Sequence, residues 1–256
     1  MLDLRCGDCL EVMKEIEDNS IDLILCDLPY GTTSCSWDIV IPFDQLWNEY
    51  KRIRKDNSAI VLFGQEPFSS YLRISNINEY RYDVYWQKER ITNIMQVKNR
   101  FGKDTETISI FYKKQCAYHP QMIEYHGAKR GNKVKDGKLG KLVDDSNNKN
   151  PFEYIDSGFR YPTQILKFKR DILTSNLHPT QKPVELIEYL IKTFSNENDL
   201  ILDNCMGSGT TGVSCVNTNR SFIGIEKDPK YFEIAQDRIS KASCVQEKLE
   251  SYKEEW

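Results

Sequence analysis

Residues 21–38 read IDLILCDLPYGTTSCSWD, and their first ten letters decide the fold. Five of the six residues Ile21–Cys26 are apolar, a run of strand length. A strand apolar on both faces belongs in the interior of a parallel sheet. This one runs straight into Asp27, followed by Leu28, Pro29 and Tyr30. Asp and Pro are ordinary turn formers, so the plain explanation is a strand ending in a turn. The more demanding explanation is that a carboxylate and a rigid aromatic are being presented together at a strand end.

Outward from that stretch the same pattern recurs. Apolar strand candidates lie at 58–63 (SAIVLF), 199–204 (DLILDN) and 221–226 (SFIGIE). Helical spacing marks Asp8–Glu17, Pro42–Arg54, Pro67–Ile77, Pro183–Phe194 and the segment PKYFEIAQDRISKA from Pro229. Strands alternating with helices predict an α/β fold with a mostly parallel sheet covered on both faces. The middle of the chain differs: 84–89 (VYWQKE) and 107–114 (TISIFYKK) alternate like strands, while 126–150 is rich in Gly, Asn and Lys and reads as a mobile loop or insertion. There is no internal repeat, and the tail after Ser243 reads as a charged, solvated helix.

The chain has 256 residues, 39% hydrophobic and 29% charged, which suits one large α/β domain with an inserted arm. No run approaches the roughly 20 apolar residues of a membrane helix, and no basic region leads into an apolar one at the start, so a cytoplasmic protein is expected. The eight cysteines are scattered, not arranged as a disulfide scaffold, and are expected to be reduced. Cys6-Gly7-Asp8-Cys9 is formally a CxxC, but no second one follows and His119, His126 and His178 are not at ligand spacing to it; no metal site is expected. The net charge of −3 points to no polyanion. Locally the balance reverses: 86–114 and 127–150 each carry seven Lys/Arg against three Asp/Glu. Either stretch is a solvated basic surface or a phosphate-contacting one.

A second informative stretch is LILDNCMGSGTTG, from Leu200 to Gly212. An apolar strand runs into Asp203, and Gly207-Ser208-Gly209-Thr210-Thr211-Gly212 then leads into a helix. Glycines there allow a tight turn and close approach to a ligand, and the helix start offers free N–H groups. Glu226 ends the next strand nineteen residues after Gly207, where a carboxylate can accept from ribose hydroxyls. A nucleotide or nucleoside cofactor follows. NAD fits the fingerprint, although that fingerprint normally opens a domain; an adenosine cofactor without pyrophosphate would use the same carboxylate.

The two stretches suit each other chemically. The exocyclic amine of adenine is a poor nucleophile because its lone pair is delocalised into the ring. A catalyst restores that density by accepting hydrogen bonds from the amine protons. Asp27 supplies one acceptor. The carbonyl of Leu28, directed by the following proline, can supply the second, and Tyr30 offers a face to a base turned out of the duplex.

Together these segments resemble the beta-class amino-group DNA methyltransferases, whose signature reads Asp-Pro-Pro-Tyr and precedes the cofactor loop. HPTQKP at His178–Pro183, DNCMGSGTT and GDC at Gly7–Cys9 are similar to further segments of that family. The resemblance covers roughly 1–65 and 160–240. It implies a Rossmann-like fold with circularly permuted motif order: a catalytic half at 1–85, an inserted target-recognition region at 86–160, a cofactor half at 161–243 and a charged tail at 244–256. It implies S-adenosylmethionine as methyl donor and adenine N6 in double-stranded DNA as acceptor, with Asp27, Leu28, Pro29 and Tyr30 catalytic. Cytosine N4 is the neighbouring alternative, and an NAD-dependent oxidoreductase or a non-catalytic DNA-binding module the more distant ones. Carried over residue by residue, Asp27, Asp203, Cys205, Gly207, Ser208, Gly209, Thr210 and Thr211, with Thr180 and Lys182, line the methionine side of the cofactor. Glu226 holds the ribose, and Asp8 with Cys9 faces the adenine, although Asp8 is equally an ordinary helix N-cap. Lys88, Arg90, Lys98, Arg100 and Lys103 are the expected DNA contacts. A homodimer and a cognate restriction endonuclease are further partners the resemblance admits, with no interface readable in the residues. Two departures stand out: Leu28 replaces the first proline of the signature, and Asn204-Cys205 stand where Pro-Phe is usual.

Overall fold

A computed structural model describes residues 1–32, 38–127, 157–171 and 181–254, without the side chains of 248–254. The segment around Pro120–Thr163 forms a unit of its own; everything else, Met1–His119 with Gln164–Trp256, is one body.

That body is built on an eight-stranded sheet. In chain order its strands are β1 (Leu2–Cys6), β2 (Ile21–Cys26), β3 (Arg54–Gly64), β4 (Tyr80–Gln87), β5 (Thr105–Phe111), β8 (Ile165–Lys167), β9 (Leu200–Asp203) and β10 (Ser221–Glu226). Their spatial order is β1-β10-β9-β2-β3-β5-β4-β8. Five of the seven pairings are parallel; only β3 with β5 and β5 with β4 are antiparallel. The helices are α1 (Cys9–Val12), α2 (Phe43–Ile53), α3 (Phe68–Ser75), α4 (Val184–Phe194), α5 (Thr210–Asn217) and α6 (Pro229–Glu254).

Alternation along the central strands feeds two cores. Leu23 and Leu25 of β2, with Ala59, Val61 and Phe63 of β3, pack against Leu186, Leu190 and Phe194 of α4 and against Ala235 and Ile239 of α6. Ile24 and Cys26, with Ile60 and Leu62, face Leu46, Trp47, Tyr50 and Ile53 of α2 and Phe68 and Leu72 of α3. The α2 set recurs at i, i+1, i+4 and i+7, so one stripe of the helix meets the sheet. The expected doubly covered sheet is therefore present.

The elements differ from expectation at their ends. The helix predicted over Asp8–Glu17 is one turn, α1, followed by a 3₁₀ turn at Met13–Glu15. The Arg52 guanidinium explains the stop: it donates to the carbonyls of Met13 (2.7 Å) and Ile16 (2.8 Å), satisfying groups that a longer helix would have used. Strand β3 begins four residues earlier than its apolar run, because Arg54 is paired with Glu79 and Lys55 with Asp22, so polar residues extend the strand. The hairpin β4–β5, which the sequence suggested lay outside the sheet's repeating pattern, is part of the large sheet. No helix among the described residues is long and apolar enough to cross a membrane.

The smaller unit contains β6 (Ile123–Glu124) paired antiparallel with β7 (Phe159–Arg160), and Arg160 stacks its guanidinium 4.3 Å from the Tyr125 ring centre. The expected basic loop 127–150 lies, apart from Gly127, outside the described residues.

Candidate active site

Strands β2 and β9 are direct neighbours, Leu23 opposite Ile201 and Ile24 opposite Leu202. From β2 the chain crosses over to β3 through α2 on one face; from β9 it crosses to β10 through α5 on the other. This is a topological switch point, where the carboxyl ends of parallel strands leave a crevice. A cleft of about 710 Å³ opens there. Asp27 stands on one wall and the Gly207 loop on another, although 180 positions separate them in the chain.

The signature turn is held from several directions. Leu28 is buried in the α2-side core, so its side chain anchors the turn where a proline ring would have stiffened it. The N–H groups of Gly31 and Thr32 donate to Asp38 at 2.8 and 2.9 Å. Tyr30 lies 5.1 Å from the Phe68 ring, and its hydroxyl donates to Asp27 Oδ1. Burial first, and then the charges of Asp27 and Glu106, push the Tyr30 phenol well above its usual range, so it remains a donor. Asp27 Oδ2 accepts from the ammonium of Lys182.

Lys182 in turn lies 3.3 Å from Glu106 Oε2, while Glu106 Oε1 accepts from Lys88. Glu106 sits on β5 and was not anticipated. The strand expected at 107–114 begins one residue after it, whereas β5 starts at Thr105 and carries Glu106 into the cleft. Lys88 was expected to meet DNA phosphate; the structure instead turns it inward, its side chain 10% exposed and committed to Glu106.

The cofactor side is equally built. Asp203 is buried and accepts from Thr211 Oγ1 (2.6 Å) and Cys205 N–H (3.1 Å). Burial pushes its carboxyl up to about 6 against the pull of those donors. Glu226 accepts from the N–H of Gly207 (2.9 Å) and of Asp228 (2.8 Å), and burial raises it as well. Gly207 and Gly209 have φ of 51° and 79°, a region L side chains rarely adopt. Gly212 packs inside α5, where a Cβ would meet Ile239 at 2.3 Å and the Phe222 ring at 2.8 Å. Ser208 is fixed by Arg238 of α6, which donates to its carbonyl at 2.5 Å and its hydroxyl at 2.9 Å.

Asp8 caps α1 through Leu10 N–H (3.0 Å), and it also lines the cleft, where Lys227 donates to it at 3.0 Å and lowers its pKa. The departure at Asn204-Cys205 now has an account. Asn204 is buried, accepts from Tyr50 Oη at 2.5 Å and donates through Nδ2 to the Cys205 sulfur at 3.6 Å, and Cys205 lines the cleft with Cys9 and Cys26. Burial pushes the Cys26 thiol up to about 12, so a neutral sulfur wall takes the place of an aromatic one. Thr180 lies outside the described residues.

Of the remaining expected DNA contacts, Arg90, Lys98 and Arg100 are exposed and Lys103 is half-buried, on the loop between β4 and β5. That loop is closed by Thr92 N–H to Lys103 O (2.8 Å) and by Asn93 Oδ1 accepting from Lys103 N–H (2.6 Å). It presents Met95 at 92% and Phe101 at 98% exposure.

The donor set fits an adenosine-bearing sulfonium: acceptor carboxylates at Glu226 and Asp8, backbone N–H groups where α5 begins, and a neutral wall of thiols. Comparison with known proteins agrees. A family model covering N6 and N4 enzymes and described as DNA methylase matches residues 21–237. Type II methyltransferase M2.LlaDCHI of Lactococcus lactis subsp. cremoris is 47% identical over 93% of this chain and 88% of its own. DNA adenine methyltransferase YhdJ of Escherichia coli (strain K12) is 27% identical over 93% and 82%. The crystal structure of the M1.HpyAVI–SAM complex superposes with a TM-score of 0.63 at 25% identity, covering 93% of this chain and 99% of that one. A signature turn and a glycine loop on one cleft, with a family match across most of the chain, establish that this chain belongs to the N6/N4 DNA methylase family, whose methyl donor is S-adenosylmethionine.

Proposed function

We propose that this methyltransferase modifies the N6 amine of an adenine turned out of double-stranded DNA. The observation that carries the reading is the shared cleft: a strand-end carboxylate faces the glycine loop across the switch point. Bound S-adenosylmethionine supplies an electrophilic methyl group on an already excellent leaving group. The chain's task is then to hold the amine nitrogen about 3–3.5 Å from that carbon and to enrich its electron density. Asp27 and the Leu28 carbonyl accept the amine protons, and Tyr30 stacks on the base. Glu226 and Asp8 hold the nucleoside end of the donor, and Gly207–Thr211 hold the methionine end.

An aspartate at the first signature position favours adenine over cytosine, and the similar protein YhdJ is a DNA adenine methyltransferase. The region 86–160 carries target recognition, supported by the exposed cations and apolar tips of the β4–β5 loop. A cytoplasmic location belongs to the same reading. Similarity to type II methyltransferases supports a cognate restriction endonuclease, and a homodimer belongs to the same reading.

The test is Asp27→Ala. Transfer to duplex DNA should be abolished while S-adenosylmethionine still binds with nearly its original Kd; wild-type turnover would sink the assignment. Nucleoside mass analysis of the product should show N6-methyladenine, and N4-methylcytosine would redirect the reading to the other base.

A further inference from the structure

Both oxygens of the Asp27 carboxylate are engaged before any base arrives. Oδ1 takes the Tyr30 hydroxyl and Oδ2 takes the Lys182 ammonium. An ammonium seated on Asp27 draws off the same electron density that the amine protons are meant to find there. It also occupies the cleft-facing carboxylate in a buried setting, where a charge contact is strong.

Lys182 has somewhere else to go. Its Nζ lies 3.3 Å from Glu106 Oε2, an ion-pair contact without hydrogen-bond geometry. That oxygen is buried and has no aligned donor among the described residues, while Oε1 of the same carboxylate is taken by Lys88. The Phe63 ring lies beside the ammonium, 5.1 Å from Nζ to centroid, and offers it a π-face. The residue is a lysine, a point charge on a flexible stem, not a fixed planar fork. The two cations Lys88 and Lys182 balance the two anions Glu106 and Asp27, so the shift leaves the site's net charge unchanged. Burial disfavours the charged forms of Lys182 and Glu106, yet the carboxylates hold Lys182 protonated and the two lysines hold Glu106 ionised.

We propose that Lys182 is a movable counter-charge: it occupies Asp27 in the base-free enzyme and passes to Oε2 of Glu106 as the target amine takes its place. Glu106 is then a positioning residue for the methyl transfer. The inference rests on Asp27 being the amine acceptor, which Asp27→Ala tests independently.

The experiment is an epistasis cycle on the full chain. In Glu106→Gln, Lys182 keeps a single anion and remains on Asp27. The single-turnover rate should fall by about a hundredfold, while the Kd values for S-adenosylmethionine and for a duplex methylated by the wild type stay unchanged. Adding Lys182→Met to that variant removes the clamp, so the double variant should be faster than Glu106→Gln alone. A double variant no faster than the single one overturns the proposal. So does a Lys182→Met variant whose only defect is weakened S-adenosylmethionine binding, because Lys182 would then be holding the cofactor. If Glu106→Gln does not fold, a structure of the wild-type enzyme on that duplex decides: Nζ bonded to Glu106 supports the transfer, and Nζ still on Asp27 Oδ2 overturns it. Should Asp27→Ala retain turnover, the amine-acceptor reading fails whatever the cycle shows.

Discussion

Asp203 shows how a single residue can give the cleft a measurable pH signature. Its carboxyl is buried beside Asp27, and its pKa of about 6 lies above the ordinary aspartate value. The folded protein therefore holds this proton more tightly than the unfolded chain does. Its contribution is fully present below the unfolded value and is lost as pH rises through about 6, a swing of about 3 kcal/mol. Asp203→Asn keeps an acceptor for the Cys205 N–H and removes the titration. Urea midpoints between pH 4 and 7 should fall less steeply in that variant than in the parent; parallel curves would show that Asp203 is not the group responsible. At this scale Asp27 and Glu226 were readable because each ends an apolar strand, a position that sequence marks clearly. Glu106 was not. A glutamate in a Thr-Glu-Thr alternation looks like any solvated strand residue until β5 is known to lie within reach of β2, and Lys182 meets Asp27 from 155 residues away.

Among the elements, the turn into α5 is the most constrained. Gly209 is the N-cap of α5 with φ of 79°, and a Cβ there would sit 2.9 Å from that of Ala235 on α6. Gly209→Ala combines left-handed backbone strain with a clash against a packed helix, a loss of about 2–4 kcal/mol. Thermal unfolding of the variant should show it, and a Tm equal to the parent's would mean that α6 yields at no cost. The glycine spacing announced this turn in the sequence. The shortness of α1 was not announced, because the group that ends it, the Arg52 guanidinium, arrives from α2. The polar start of β3 was hidden for the same reason: ion pairs with Glu79 and Asp22 replace the apolar burial that a pattern can detect.

Across the whole molecule, the β4–β5 loop is a stretch where the chain's slightly acidic charge balance is locally reversed. Arg90, Lys98 and Arg100 stand exposed on the β4–β5 loop with Lys103 at its base, in a chain whose net charge is −3. Replacing all four by alanine should weaken binding to duplex DNA and flatten its dependence on salt by about 0.9 in log–log slope for each phosphate no longer neutralised. Fluorescence anisotropy at several salt concentrations measures this, and an unchanged slope would place the DNA elsewhere. Composition alone suggested this surface. It could not separate Lys88 from its neighbours, because the partner that turns Lys88 inward comes from the far side of the loop.

The sheet order carries one more implication. The strand bearing Asp27 lies between β3 and β9, and β9 is synthesised only after some 170 further residues. On the ribosome, then, one backbone edge of β2 waits uncovered through most of translation, with Leu23 and Ile24 still missing their final neighbours. Such late, distant pairing is slow to form and prone to self-association. The arrangement that makes the crevice therefore leaves an apolar edge strand open to wrong pairing until the last quarter of the chain emerges.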